Sequence, residues 1–453
     1  MGIRIYTPTY QLMQELLSQK LEKLFNLRNR GIKPGLSRMR NLVQFLRHPE
    51  KEYPIIHVAG TNGKGSTCRI IHSILVEAGY KTGLYTSPHL RCFNERIKIN
   101  HTDITNDELL ALFKKFDSYF DESKASFFEI TTAIALDYFY QKNVEIVILE
   151  VGLGGRFDAT NIVSPVMSVI TPISKDHEEF LGNDLLQIAR EKAGIIKPGV
   201  PVIISKQNKE INNIIQKIAD LNRAKYFSSS DTCNIQINKL DLDGQLINLQ
   251  IDDQFFYNIK FPMLGVHQIE NLMTALTALS KYPGLKLNHK LLNSGLKRLV
   301  NPGRFEIIDT NPAVIYDVAH NTAGIKSTIE TMLSIFPEEK IDLLLSLKSG
   351  KKLKNPGFLF KQLGGKIYIS EMANIESEKI ENIITQFNNE INNEKIIFNK
   401  NMDKLLETIE KERMNPLLIL GSHYMAKKIY KLKKYLTNNQ NNNSLRHHTT
   451  IYP

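Results

Sequence analysis

The feature that most constrains this chain is the segment Gly60-Thr61-Asn62-Gly63-Lys64-Gly65-Ser66-Thr67, set between an apolar run and an amphipathic one. The run before it, Ile55-Ile56-His57-Val58-Ala59, is short, apolar and ended by glycine, which predicts a buried strand. The run after it, Thr67 to Ala78, predicts a helix closed by Gly79, and Lys81 to Thr86 predicts a second strand. Strand, loop, helix, strand is the repeating unit of a parallel sheet, so the chain is of the α/β class. A glycine-rich loop at a helix N-terminus gathers backbone N–H groups on one point and favours an anion there. Glycines let the backbone approach phosphate oxygens, Lys64 reaches the outer ones, and a hydroxyl of Ser66 or Thr67 suits Mg2+. The spacing is not that of the standard Walker loop, because Gly65 stands between the lysine and the serine.

The α/β rhythm continues along the chain. Helices are predicted at Glu129 to Lys142, Leu185 to Ala193 and His267 to Lys281, and strands at Glu145 to Val151, Pro165 to Thr171 and Pro201 to Ser205. Near the start, Leu12, Leu16, Leu21, Leu24 and Leu27 recur at helical spacing. Residues 225–262 alternate in short runs and predict a small antiparallel meander. Asn301-Pro302-Gly303 marks a boundary, after which Val314-Ile315-Tyr316-Asp317 reads as the first strand of a second α/β domain. A helix from Ala323 and a strand from Ile341 to Leu347 follow. The expected architecture is a large N-terminal parallel-sheet domain of the phosphate-loop type over 1–299 and a smaller C-terminal α/β domain over 300–436. The polar tail 437–453, rich in Asn and His, is expected to be disordered.

Composition narrows the class further. The net charge of +11 suits either nucleic acid or small anionic substrates. No nucleic-acid motif accompanies it, so small anions are expected and nucleic acid is not. No run approaches the ~18 apolar residues of a membrane span, and the N-terminus lacks a leader pattern. Cys68, Cys92 and Cys233 show no pairing or metal spacing and read as plain thiols, which together with the missing leader predicts a cytoplasmic protein.

The loop from His57 to Ser66 is one of several motifs in order. Tyr85-Thr86-Ser87-Pro88-His89-Leu90 and Asn94-Glu95-Arg96-Ile97 follow it. Then come Glu150-Val151-Gly152-Leu153-Gly154-Gly155-Arg156-Phe157-Asp158-Ala159-Thr160-Asn161, Asp176-His177, and Glu191-Lys192-Ala193-Gly194-Ile195-Ile196-Lys197-Pro198-Gly199. Together, over about residues 35–330, they resemble the folylpolyglutamate synthase/dihydrofolate synthase family of the Mur ligase superfamily. That resemblance implies an ATP-dependent ligase that joins L-glutamate to dihydropteroate and/or a (tetrahydro)folate through an acyl phosphate. The alternatives are another Mur-type amino-acid ligase, or a nucleotide-binding module without catalysis. A monomer is expected.

Roles follow from the same resemblance. Gly60, Thr61, Asn62, Gly63, Lys64, Gly65, Ser66 and Thr67 hold the triphosphate, joined by Asn271 and, from the second domain, Arg304, Asp317 and His320. Lys64, Lys192, His177 and Arg304 are the implied catalytic residues. Ser66, Ser87, Glu150 and His177 are the implied ligands for Mg2+, and Lys192 carries a carbamate that holds a second ion. Ser87, Pro88, His89, Arg96, Phe128 and Asp158 are expected against the pterin-type substrate. Without the resemblance, Lys192 reads as an exposed helical lysine. Three departures lie toward the C-terminus: Asn301 stands where the family has tryptophan, Ser346-Leu347-Lys348-Ser349-Gly350-Lys351-Lys352 replaces an acidic segment, and Gly421-Ser422-His423-Tyr424 keeps only the start of its motif.

Overall fold

The computed structural model describes residues 8–31, 35–117, 119, 124–176, 178–372, 377–387 and 390–432. His177 and the tail 437–453 lie outside the described residues. Seventeen strands form three sheets among the described residues. The first sheet has the order β4-β3-β2-β5-β1-β6-β7-β8. Its strands are β1 (Ile55–Ala59), β2 (Thr82–Tyr85), β3 (Ile97–Ile99), β4 (Thr102–Asp103), β5 (Ile146–Glu150), β6 (Met167–Ile170), β7 (Val202–Ile204) and β8 (Tyr226–Ser228). β1 lies between β5 and β6, parallel to both, with Ile56 level with Ile148 on one side and Met167 on the other. All five of its residues are buried, because helices cover both faces of a parallel sheet and leave no solvent side. That is why the strand reads as a continuous apolar run rather than an alternating one.

The helix after β1 runs Lys64–Glu77, three residues ahead of the Thr67 start expected. Gly63, at φ 83°, turns the chain from loop into helix in one residue, so Lys64, Gly65 and Ser66 belong to its first turn. β3 and β4 form an antiparallel extension at one edge. The stretch expected to be all meander divides: β8 pairs parallel with β7 and completes the first sheet. Only β9 (Cys233–Asp241), β10 (Gly244–Ile251) and β11 (Gln254–Phe261) form the separate three-stranded sheet.

The third sheet has the order β12-β13-β17-β14-β15-β16, from β12 (Glu306–Thr310), β13 (Ala313–Asp317), β14 (Ile341–Leu345), β15 (Gly364–Ile369), β16 (Ile396–Phe398) and β17 (Leu417–Leu420). Its first strand is therefore β12, antiparallel to β13, and not the Val314–Asp317 run. β12 is only half buried and mixes Glu and Asp with its isoleucines, so it lacks the apolar signal that marks β13. Two compact units account for the chain: one comprises 1–238, 246–261 and 267–300, the other 239–245, 262–266 and 301–453. The core of the second unit gathers Ile315, Leu343, Leu345, Ile369, Leu418 and Leu420 from its central strands.

Candidate active site

The phosphate loop is held by the end of β6. Thr61 and Asn62 donate their amides to Pro172 O at 3.0 and 3.2 Å. The Thr61 hydroxyl donates to Ser174 O at 3.0 Å and accepts from Ser174 N at 3.1 Å, and Asn62 Nδ2 donates to Ser174 Oγ at 3.2 Å. Thr61 and Asn62, expected at the triphosphate, thus spend these groups on the shape of the loop. A Cβ at Gly60 would lie 1.9 Å from Thr171 Oγ1, so no other residue fits there without displacing β6. What remains for an anion is the first turn of the helix Lys64–Glu77, whose amides have no acceptor within the helix and carry the positive end of its dipole. A Cβ at Gly63 would lie 2.1 Å from Asn271 Oδ1, which places the Asn271 carboxamide directly on the loop. Asn271 is buried in the helix Val266–Ser280 and donates to Gln268 Oε1 at 3.0 Å.

Two lysines meet on one carbonyl. Lys64 Nζ donates to Gly60 O and Thr61 O, both at 3.2 Å. Lys192 Nζ donates to Gly60 O at 2.8 Å. Lys192 is 4 % exposed, which overturns the surface lysine read from the residues alone. It lies on the buried face of the helix Leu185–Ala193 with Ile188 and Ala189. Burial, and then the charge of Lys64, lower its pKa from 10.5 to about 7, against the opposing pull of Asp176 and Asp158.

Glu150 closes β5 with a buried carboxylate whose Oε2 accepts from Ser87 N at 2.9 Å. A Cβ at Gly65 would be 3.6 Å from both of its oxygens, so the carboxylate faces the first turn of the phosphate-loop helix. The described residues contain no cluster of three or more His, Cys, Asp or Glu able to hold a metal by themselves. One buried carboxylate facing the first turn of the phosphate-loop helix nonetheless fits Mg2+, which is commonly held by one or two carboxylates, substrate phosphates and water.

The substrate-side residues fall into two groups. Arg96 is buried, donates from Nε to His89 Nδ1 at 2.8 Å, and lies over the Phe127 ring at 5.3 Å. Burial pulls its pKa down. The guanidinium also lies 5.9 Å from the Phe93 ring, Phe25 packs against His89, Phe93 and Phe127, and Arg28 lies 4.7 Å from both the Phe25 and the Phe127 ring. Phe128 packs on the loop after β5, where a Cβ at Gly152 would be 2.4 Å from its Cζ. Asp158 behaves differently from a substrate contact. Its Oδ2 accepts from Leu153 N at 2.9 Å, and its Oδ1 accepts from Thr160 N at 3.0 Å and Thr160 Oγ1 at 2.5 Å. Burial raises its pKa, with these donors working against the rise.

In the second unit, Arg304 is exposed while Asp317 is buried. Asp317 Oδ2 accepts from Phe305 N at 2.8 Å and Oδ1 from Ala319 N at 2.7 Å, so both oxygens pin the turn that presents Arg304. His320 Nδ1 lies 3.0 Å from Val318 O. Sequence reasoning missed Thr171, Pro172 and Ser174, which shape the loop from a distance of more than a hundred residues, and Thr160, which engages Asp158. Nothing local in the sequence marks them.

A parallel sheet with an anion loop after β1, an acidic residue at the end of β5 and a buried lysine on the loop defines an ATP-dependent ligase of the Mur type. Residues 58–279 match the Mur ligase middle domain. Within that class, the chain belongs to the folylpolyglutamate synthase/dihydrofolate synthase family and is an ATP-dependent glutamate ligase. It is 38 % identical over 335 residues to the dihydrofolate synthase/folylpolyglutamate synthase of Bacillus subtilis, spanning 72 % of this chain and 78 % of that one. The Escherichia coli enzyme is 38 % identical over 311 residues, 67 % of this chain and 70 % of that one. Escherichia coli FolC in complex with DHPP and ADP superposes with a TM-score of 0.82 at 28 % identity, covering 93 % of this chain and 98 % of that one. Among the described residues, no helix is long and apolar enough to cross a membrane.

Proposed function

We propose that this chain performs both reactions of its family, joining L-glutamate to dihydropteroate and extending reduced folates, each through an acyl phosphate made from ATP. The observation that supports the reading best is the pair of lysine amines on the Gly60 carbonyl, one of them buried and of lowered pKa, facing the same loop as Glu150. In this reading residues 1–299 bind ATP and the pterin substrate, and residues 300–436 supply Arg304 and the glutamate side.

A carboxylate oxygen of the acceptor attacks the γ-phosphorus, and ADP leaves with the bridging electron pair. The glutamate amine then attacks the acyl carbon, loses a proton, and expels phosphate. Lys64 and the first-turn amides of its helix offset charge on the transferring group, while the fork of Arg304 grips two phosphate oxygens at once. Asn271 orients the nucleotide from its place on Gly63. Asp317, which ends β13 and accepts from Phe305 N in the turn that carries Arg304, we assign to presenting it, and His320 to the nucleotide. Ser66, Ser87, Glu150 and His177 would hold one Mg2+ and a Lys192 carbamate a second, the ions drawing negative charge from the phosphoryl oxygens. Ser87, Pro88, His89, Arg96 and Phe128 line the acceptor side, with Asp158 shaping its loop.

The protein acts as a cytoplasmic monomer on small molecules, with its positive charge directed to anionic substrates rather than nucleic acid. Purified protein given ATP, glutamate and either dihydropteroate or tetrahydrofolate should yield, by mass, the glutamylated product with each acceptor and one ADP per bond. Product from only one acceptor reduces the proposal to that activity, and ATP hydrolysis without amide formation ends it.

A further inference from the structure

Lys192 does not reach Gly60 by its own helix alone. The last turn of that helix rests on the loop after β5: Arg156 N donates to Glu191 O at 2.8 Å. A Cβ at Gly155 would meet Glu191 O at 2.6 Å and Lys192 Cα at 2.9 Å, so the two backbones are in direct contact. Asn161 Nδ2 ties both sides together, donating to Arg156 O at 3.0 Å and Gly194 O at 3.1 Å. The loop in turn is shaped by Asp158, which accepts from Leu153 N on one oxygen and from Thr160 on the other.

Behind Thr160 stands His57, fully buried in the middle of β1 with Nε2 2.8 Å from Thr160 Oγ1. The hydrogen positions follow from the chain of acceptors. A carboxylate only accepts, so the Thr160 hydroxyl donates to Asp158, and its oxygen must accept from His57 Nε2–H. Neutral His57 then carries its hydrogen on Nε2, and Nδ1 is a buried acceptor with no hydrogen-bond partner among the described residues. A core histidine kept for packing alone would more cheaply be apolar, since an unpartnered buried nitrogen costs stability. The arrangement has a directional purpose: one strand residue, three positions before Gly60, sets the loop that seats Lys192.

We propose that His57 and Thr160 are positioning residues for Lys192, acting through Asp158 and the Gly152–Asn161 loop to hold the lysine amine at the Gly60 carbonyl. This deepens the reading that Lys192 serves the phosphate site and rests on it. Neither residue touches substrate.

The test is Thr160→Val, which keeps shape and backbone donors but cannot pass on the hydrogen bond, beside Thr160→Ser, which can. Two readouts are taken: acylation of Lys192 in the ligand-free enzyme by an amine-reactive acetylating reagent, followed by peptide mass, and steady-state kinetics. Thr160→Val should label Lys192 roughly five- to tenfold faster and lose a similar factor in kcat, with KM for ATP within about twofold and the fold intact by circular dichroism. Thr160→Ser should restore both. His57→Gln, which retains a donor, should resemble Thr160→Ser, and His57→Leu should resemble Thr160→Val. Wild-type labelling and kcat in a folded Thr160→Val protein would overturn the proposal. Normal turnover by Lys192→Ala would instead overturn the assignment of Lys192, and the labelling result would still report on the positioning chain.

Discussion

Lys192 shows how a residue's chemistry is set by where it is buried. An ordinary lysine is almost wholly protonated at pH 8, and only the neutral amine reacts with CO2. With its pKa at about 7, most Lys192 side chains are neutral there. Enzyme stripped of CO2 at pH 6 should lose activity and recover it on adding bicarbonate, faster at pH 8 than at pH 6; recovery independent of bicarbonate would remove the carbamate from the mechanism. Lys192→Ala should lower kcat on the order of a hundredfold, as loss of one electrostatic stabiliser commonly does. The same burial carries a stability sign. Between about pH 7 and 10.5 the unfolded chain binds the proton that the folded one lacks, so this group's destabilisation is relieved as pH rises through that window. The glutamate at 150 was legible as a strand-ending acid, and Lys192 only through its motif. Its burial depends on the backbone of Gly155 lying against it, which no residue near position 192 announces.

Among the elements, the turn from β1 into its helix is the most sharply specified. Gly63 has φ 83° and also has Asn271 on it. Gly63→Ala therefore meets two costs: roughly 1–2 kcal/mol for a left-handed alanine and a steric conflict with the Asn271 carboxamide. It should lower the thermal midpoint and abolish nucleotide binding, measured by calorimetry. Gly79→Ala, at φ 96° with nothing within 4 Å of the new Cβ, meets only the first cost. It should bind nucleotide as the wild type does, and a loss of binding there would show that the loop assignment is misplaced. The glycines that open and close this helix were legible because they stand at the ends of an apolar pattern. β12 was not, since an antiparallel edge strand needs no apolar run.

For the whole molecule, acid stability is governed by histidines folded in neutral form. Burial holds both His57 and His72 at about 3, far below 6.5. Between those values the unfolded chain binds protons that the folded chain does not, so the stability these two groups contribute is fully present above pH 6.5 and is lost as pH falls toward 3. Glu108, which burial raises but which its bonds from Lys142, Thr105 and Tyr138 together bring down to about 2, adds to the loss below pH 4.5; Asp158 and Asp317, raised by burial, oppose it. The thermal midpoint should fall steadily from pH 6.5 to 4.5. His72→Asn, which cannot titrate, should show a shallower fall, and a profile parallel to the wild type would assign the acid limb to other groups.

The residues by themselves determined the periodic parts of this protein: buried strands as apolar runs, the glycine loop before a helix, and the ordered motifs that mark its family. Those are local signals, because a strand's burial and a helix's first turn are written in neighbouring positions. The tertiary structure alone decided what the motif residues do. Thr61, Asn62, Asp158 and Asp317 carry functional-looking side chains, yet Thr61, Asn62 and Asp317 spend hydrogen-bonding groups on segments distant in the chain, and Asp158 spends its carboxylate on its own loop. Lys192 looks like a surface lysine and is buried against a phosphate loop 132 positions away. Burial and hydrogen-bond partnership are set by which distant segments pack together, and a polar side chain's role follows from its partners.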